Sequence, residues 1–305
     1  MQRGGEDTWF AGMAGLFFVF RVNRRPLGEG NLFEKEQTPF DHFRRVLAPG
    51  FDVVTGRGNQ RVWKVGGVRV NEEQELLTGK LGWLPKGKKI VVPTWSDEEQ
   101  DWTNVPTQAG GGIMPFGFDG EKRLLAVLSD HHSRPKSIAD AVELILQQNE
   151  EQLVDKSTEW AVEPVLDRHE FVEWLKGLDV VHWTKFTARL PNPEPMDPFE
   201  ELHQRLTSRH ATKITETMTS EHDGGLIGIE HDKDFRQAIA MGEQGFATLG
   251  GKGHREGKVS FFRQNEQVAR ESVEDLPPTW DDVFSLIGDL LKGKLRRFLD
   301  DDQAE

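Results

Sequence analysis

Imidazole and carboxylate side chains gather at three places in this chain: Asp130-His131-His132, Glu221-His222-Asp223 and Glu230-His231-Asp232. Such groups are the ligands that divalent cations take, and a metal held by them can activate water for phosphoester hydrolysis. A fourth segment has different chemistry. Gly250-Gly251-Lys252-Gly253-His254-Arg255-Glu256-Gly257-Lys258 joins glycines, which expose backbone N–H groups, to cations that attract phosphate. Cysteine and tyrosine are absent. That removes disulfides, thiolate metal centres, iron–sulfur clusters and covalent catalysis through a thiol or phenol.

Each cluster has a competing structural reading. Asp130-His131-His132 follows a strand-like run at 123–128 and precedes a helical pattern from Ser137. In that setting it resembles the metal-binding turn of DHH-type phosphoesterases, which implies a manganese-dependent phosphodiesterase. Such an enzyme also needs a paired-aspartate motif early in the chain, where only Asp41-His42 stands, inside an amphipathic helix. A polar turn leading into the helix accounts for the same three residues and is the preferred reading. The other two clusters flank an expected strand at 226–229, which at ~3.3 Å per residue would hold them apart. Glu221-His222-Asp223-Gly224-Gly225 reads as a turn, and Asp232 or a residue beside it as the N-cap of the following helix. His222, Asp223, His231 and Asp232 stay as metal candidates only under the enzyme reading, and no other cofactor is expected.

The glycine-basic segment fails the tests for nucleotide loops. A Walker A loop and a dinucleotide fingerprint both run into a helix, whereas here the chain passes into a strand at 258–262. What survives is a basic β-hairpin tip carrying Lys252, His254, Arg255 and Lys258, suited to a nucleic-acid backbone or a partner protein, against the plain alternative of a solvated turn. Lys80, Lys86, Lys88 and Lys89 surround Trp83 in a second basic patch, read as a turn whose Trp packs inward. No Gly-x-Ser-x-Gly elbow supports serine catalysis.

These residues must be positioned by a chain of 305 residues, 36% hydrophobic and 29% charged, long enough for a sizeable core. Its net charge of −13 and pI of about 5.3 argue against wrapping a DNA duplex, though not against a local basic patch. The apolar run from Trp9 to Val22 is too short to span a bilayer, and Arg21 at its end with Arg24 and Arg25 after it outnumber the one arginine that precedes it. It reads as a buried first strand in a soluble, cytoplasmic protein with no membrane partner.

The pattern predicts an α+β fold in two parts: a mostly β N-terminal module over 1–110 and an α+β domain over 111–305. In the first, strands are expected at 16–22, 51–54, 61–65, 68–70 and 89–92, with Gly66-Gly67 as a hairpin turn and a short helix over 38–47. A loop at 96–112 marks the boundary. In the second, strands and helices at 123–128, 137–148, 158–166, 180–190, 197–206 and 212–219 give the order βαββαβ of a ferredoxin-like unit, setting aside a small helix at 168–175. An added β-hairpin and a C-terminal helix capped by Thr279 complete it.

The progression Ala188-Arg189-Leu190-Pro191-Asn192-Pro193, a helix, a Thr-rich strand and a glycine-interrupted hairpin is similar to uncharacterised bacterial proteins encoded beside phage-defence or mobile-element genes. The resemblance implies a bacterial origin and a role in defence, without a mechanism or site residues. The resulting expectation is a non-enzymatic binding protein contacting a partner protein or nucleic acid through basic loop tips. The alternative is a metal-dependent phosphoesterase or nuclease built from Asp130, His131, His132, His222, Asp223, His231 and Asp232. Spatial convergence of those side chains decides between them.

Overall fold

The apolar run at the start becomes a 12-residue strand, β1 (Gly15–Pro26), and its alternate side chains enter two cores. Phe18, Phe20 and Val22 face one, Phe17 and Val19 the other, as the two-residue period of a strand requires. This computed structural model describes residues 10, 12–26, 38–47, 52–56, 60–86, 89–96, 101–108, 110–153, 158–189, 200–264 and 268–293. After β1 come α1 (Pro39–Val46), β2 (Val53–Thr55), β3 (Arg61–Asn71), β4 (Leu76–Pro85), β5 (Lys89–Ser96), β6 (Asp101–Gln108), β7 (Gly112–Asp119) and β8 (Leu124–Leu128). Then follow α2 (Pro135–Leu153), β9 (Thr158–Pro164), α3 (Arg168–Lys176), β10 (Val180–Arg189), α4 (Glu200–Ser208), β11 (Lys213–Thr219) and α5 (Lys233–Glu243). The last elements are β12 (Ala247–Arg255), β13 (Lys258–Arg263), β14 (Arg270–Val273) and α6 (Trp280–Lys292).

An eight-stranded antiparallel sheet runs β14-β1-β8-β7-β4-β3-β2, with β9 also on β1. One edge of β1 takes β14 and then β9 along its length, and the other edge takes β8. Apolar residues of α1 and α2 share the core of Phe18 and Phe20, while α6 packs into the core of Phe17 and Val19. A second antiparallel sheet runs β11-β10-β12-β13 and builds a third core with α3, α4 and α5. β5 and β6 pair only with each other. Among the described residues no helix is long and apolar enough to cross a membrane.

The α+β class holds, but the four strands expected to form one ferredoxin-like sheet are divided. β8 and β9 both pair with β1, whereas β10 and β11 lie in the small sheet. The cause is the length of β1, which captures both strands; alternation identifies a strand but not its partner. The boundary placed near residue 110 falls inside the large sheet, because β4 pairs with β7 across it. Gly66-Gly67 is a register irregularity within β3, with Gly67 at φ 59°, and not a hairpin turn. The stretch 79–83 lies within β4, and half of the expected loop at 96–112 is β6. Residues 226–229 form no strand; Leu226 N–H donates to the Val181 carbonyl at 2.7 Å and a short 3₁₀ turn follows at Ile229–His231.

The two sheets meet along a polar seam. Arg21, buried, donates to the carbonyls of Gln244 at 2.6 Å and Lys122 at 2.8 Å, and burial followed by repulsion from Arg123 pushes its guanidinium down to about 10. Gln264, also buried, donates to the carbonyls of Pro164 at 2.8 Å and Ala247 at 3.2 Å and accepts from Leu249 N–H at 2.7 Å. Gln264→Ala strands three buried backbone groups, so urea denaturation should show a loss of about 1–3 kcal/mol. An unmoved midpoint would show that the seam adds nothing to stability.

Candidate nucleic-acid interface

The small sheet owes its two faces to alternation on each strand. On β10, Thr184, Phe186 and Ala188 are buried toward the helices, so Trp183, Lys185 and Thr187 point the other way. Cross-strand partners share a face, and the registers therefore define rows. One row is Thr219, Trp183, Lys252 and Phe261; the next is Thr217, Lys185, Gly250 and Arg263. Thr215, Thr187 and Thr248 extend it, and His254 pairs with Val259 at the opposite end. Lys185, Lys213, Arg263, Thr215, Thr217 and Thr219 are exposed. Phe261 and Val259, on the edge strand β13, expose 47% and 52% of their surface, and among the described residues no helix covers this face.

Local geometry ties the aromatic and basic groups together. The Lys252 ammonium lies 5.9 Å and the Arg263 guanidinium 5.4 Å from the centre of the Phe261 ring, within cation–π range. A register shift between Val181 and Trp183 is a β-bulge that brings His182 beside Trp183. His182 Nε2 and His254 Nδ1 are 2.6 Å apart, one donating its ring hydrogen to the other and fastening the bulge to β12. Among the described residues, the strand positions directed to this face include the cations Lys185, Lys213, Lys252 and Arg263, and no carboxylate.

The glycines of β12 serve packing. A Cβ on Gly251 would sit 2.5 Å from the Trp174 ring, and one on Gly253 would meet Leu178 at 2.6 Å, so both let α3 and the segment after it press on the sheet. Trp174 also donates its indole N–H to Ser260 Oγ at 2.9 Å. The hairpin tip is Glu256-Gly257, with φ of 52° and 73°, the positive-φ pair of a tight primed turn. Glu256 N–H is held by Asp179 Oδ2 at 2.6 Å.

Of the four residues expected to act together at that tip, only Lys252 and His254 lie on the open face. Arg255 and Lys258 pair with each other at the end of the hairpin, on the helix side of the alternation. Trp183, Lys185, Phe261 and Arg263 went unrecognised, because residues on three strands share a face only once their register is known. The signal existed in the period-two runs around Phe186 and Phe262.

Of the expected metal ligands, Asp130 and Asp232 have structural work. Asp130 Oδ2 accepts from the Trp83 indole at 2.5 Å and from Ser133 Oγ at 3.2 Å, while Oδ1 accepts from the N–H groups of His132 and Ser133 at 3.0 and 2.7 Å. His131 is exposed at φ 62°, and the His132 carbonyl takes a hydrogen bond from Arg61 at 2.9 Å. Trp83 itself packs under the Arg61 guanidinium at 3.7 Å. His222 and Asp223 are exposed in the turn after β11, His231 is 3.6 Å from Glu230, and Asp232 caps α5 by accepting from Phe235 N–H at 2.8 Å. Among the described residues no three histidine, aspartate or glutamate side chains form a group that could hold a metal. The convergence that the enzyme reading requires is missing.

Fold and site define an α+β protein with an eight-stranded and a four-stranded antiparallel sheet beside the β5-β6 ribbon, the four-stranded one covered by helices on one face and basic and aromatic on the other. The chain belongs to the family described as a domain of unknown function, DUF4747, whose model matches residues 108–265. That span contains the whole small sheet. No curated protein matches the chain, and no solved structure does.

Proposed function

We propose that this is a cytoplasmic, non-enzymatic binding protein that holds a nucleic-acid backbone against the open face of the small sheet. The observation that carries the reading is the charge on that face: among the described residues its strand positions carry Lys185, Lys213, Lys252 and Arg263 and no carboxylate, in a chain whose net charge is −13. An acidic body discourages indiscriminate coating while a local basic surface binds phosphate. The resemblance around Ala188 to Pro193 adds a bacterial phage-defence setting to the proposal.

Fluorescence anisotropy with labelled oligonucleotides at several salt concentrations tests it. Log affinity should fall linearly with log salt, with a slope near −3 if about four phosphates on a single strand are neutralised. Lys185→Glu combined with Arg263→Glu, both at exposed positions, should weaken binding at least ~10-fold and flatten the slope. Salt-independent binding, or full affinity in the double variant, would rule the open face out; capture of a protein partner in place of any oligonucleotide would do the same.

A further inference from the structure

We infer that the polynucleotide held on this face is single-stranded and that two of its bases stack, one on Trp183 and one on Phe261. The inference rests on the reading above and adds the form of the ligand. Duplex DNA or RNA shows a flat protein surface its phosphates, and its bases are reached only by an element that enters a groove. The open face carries no such element among the described residues, yet it places two aromatic rings in one row, Trp183 on the inner strand β10 and Phe261 on the edge strand β13. Unpaired bases can lie flat on such rings, and stacking tolerates any sequence because every base has a π-face.

The register sets the spacing. Trp183 and Phe261 are both cross-strand partners of Lys252, one on each side, so two strand spacings of ~4.8 Å put their backbones ~10 Å apart. An extended strand of nucleotides can span that distance with its phosphates near Lys252 between the rings. Lys185 and Arg263 stand in the next row across Gly250. Gly250 keeps the floor low: a Cβ there would be 3.8 Å from the six-membered ring of Trp183, so the indole lies across the glycine. The exposed hydroxyls of Thr215, Thr217 and Thr219 line one edge of the same face and supply donors and acceptors for sugar or phosphate oxygens.

The test uses the full chain and four labelled probes of equal length: mixed-sequence single-stranded RNA, the same sequence as single-stranded DNA, its duplex, and an abasic strand that keeps phosphates but lacks bases. Either base-bearing single strand should bind at least ~10-fold tighter than the duplex or the abasic strand, and a preference between RNA and DNA identifies the sugar. Trp183→Ala and Phe261→Ala should each weaken binding of the single strand about 5- to 150-fold while leaving the salt slope unchanged, since no phosphate contact is lost. If Trp183→Ala unfolds by circular dichroism, Phe261→Ala and Trp183→Phe decide. Equal binding of all four probes with no effect of Phe261→Ala overturns stacking and leaves backbone binding standing. Failure of every probe overturns both.

Discussion

Glu150→Ala is expected to cost about 3–5 kcal/mol of stability and to lower the melting temperature by of order 10 °C. Glu150 on α2 is fully buried, and its Oε2 accepts from His42 Nε2 at 2.6 Å and from the Trp160 indole at 3.1 Å. Arg24 Nη1 lies 3.0 Å from His42 Nδ1. A guanidinium only donates, so Nδ1 is the acceptor and Nε2 carries the hydrogen that goes to Glu150. The carboxylate thus ties α1, α2, β1 and β9 around one point, and truncation leaves two buried donors unpaired beside a cavity. Glu150→Gln keeps an acceptor in place of Oε2 and should cost about 1–3 kcal/mol. Burial by itself would raise the Glu150 carboxyl, but the hydrogen bonds from His42 Nε2 and the Trp160 N–H, with the nearby charge of Arg45, hold it below its ordinary value. A carboxylate depressed in the folded state stabilises above the unfolded value of about 4.3 and loses that contribution as pH falls through the folded one. Urea denaturation of the native chain and Glu150→Gln should therefore differ at pH ~7 and converge in acid below ~4. A gap that stays constant across that range would show that the charge of Glu150 does not act.

Local signals were legible and partnerships were not. Thr279 caps α6 as expected, and Thr38 caps α1 at the start of the expected helix over 38–47, because a cap is a contact between a side chain and an N–H three residues away. Asp232 was readable as the cap of α5 for the same reason. β4 was not, since its Gly79 and Gly82 resemble turn residues; Gly79 is there because a Cβ would meet the Phe116 ring at 2.8 Å on the neighbouring strand. The site behaved alike. Lys252 and His254 stood out through local charge, whereas Trp183 and Phe261 acquire meaning from pairings of residues 69 and 9 positions away from Lys252, in the registers of β10 and β13 with β12. Long-range register of this kind is set by burial on the helix-facing side, which one chain's alternation does not assign to a partner.

Gly253→Ala should destabilise the small sheet by about 1–3 kcal/mol, while Gly250→Ala, three residues earlier on β12, should leave stability unchanged or raise it by about 0.5–1 kcal/mol. The two positions look equivalent in the run Gly250-Gly251-Lys252-Gly253, and neither has a positive φ, so backbone conformation does not separate them. Space does. The added Cβ at Gly253 collides with the carbonyl oxygen of Val180 and meets Leu178 Cδ1 at 2.6 Å, whereas at Gly250 the nearest atom, the Phe262 carbonyl oxygen, is 3.5 Å away. Relief at Gly253 requires β12 to move from β10 beside the bulge that carries His182 and Trp183. Gly253→Ala should therefore also weaken oligonucleotide binding, although residue 253 faces the helices and touches no ligand on the open side. Denaturation and anisotropy on the same two variants separate the outcomes: equal stability of the pair would show that the strand absorbs a side chain at either position, and a Gly253→Ala chain that loses stability but binds at full affinity would show that the open face does not depend on the close approach beneath it.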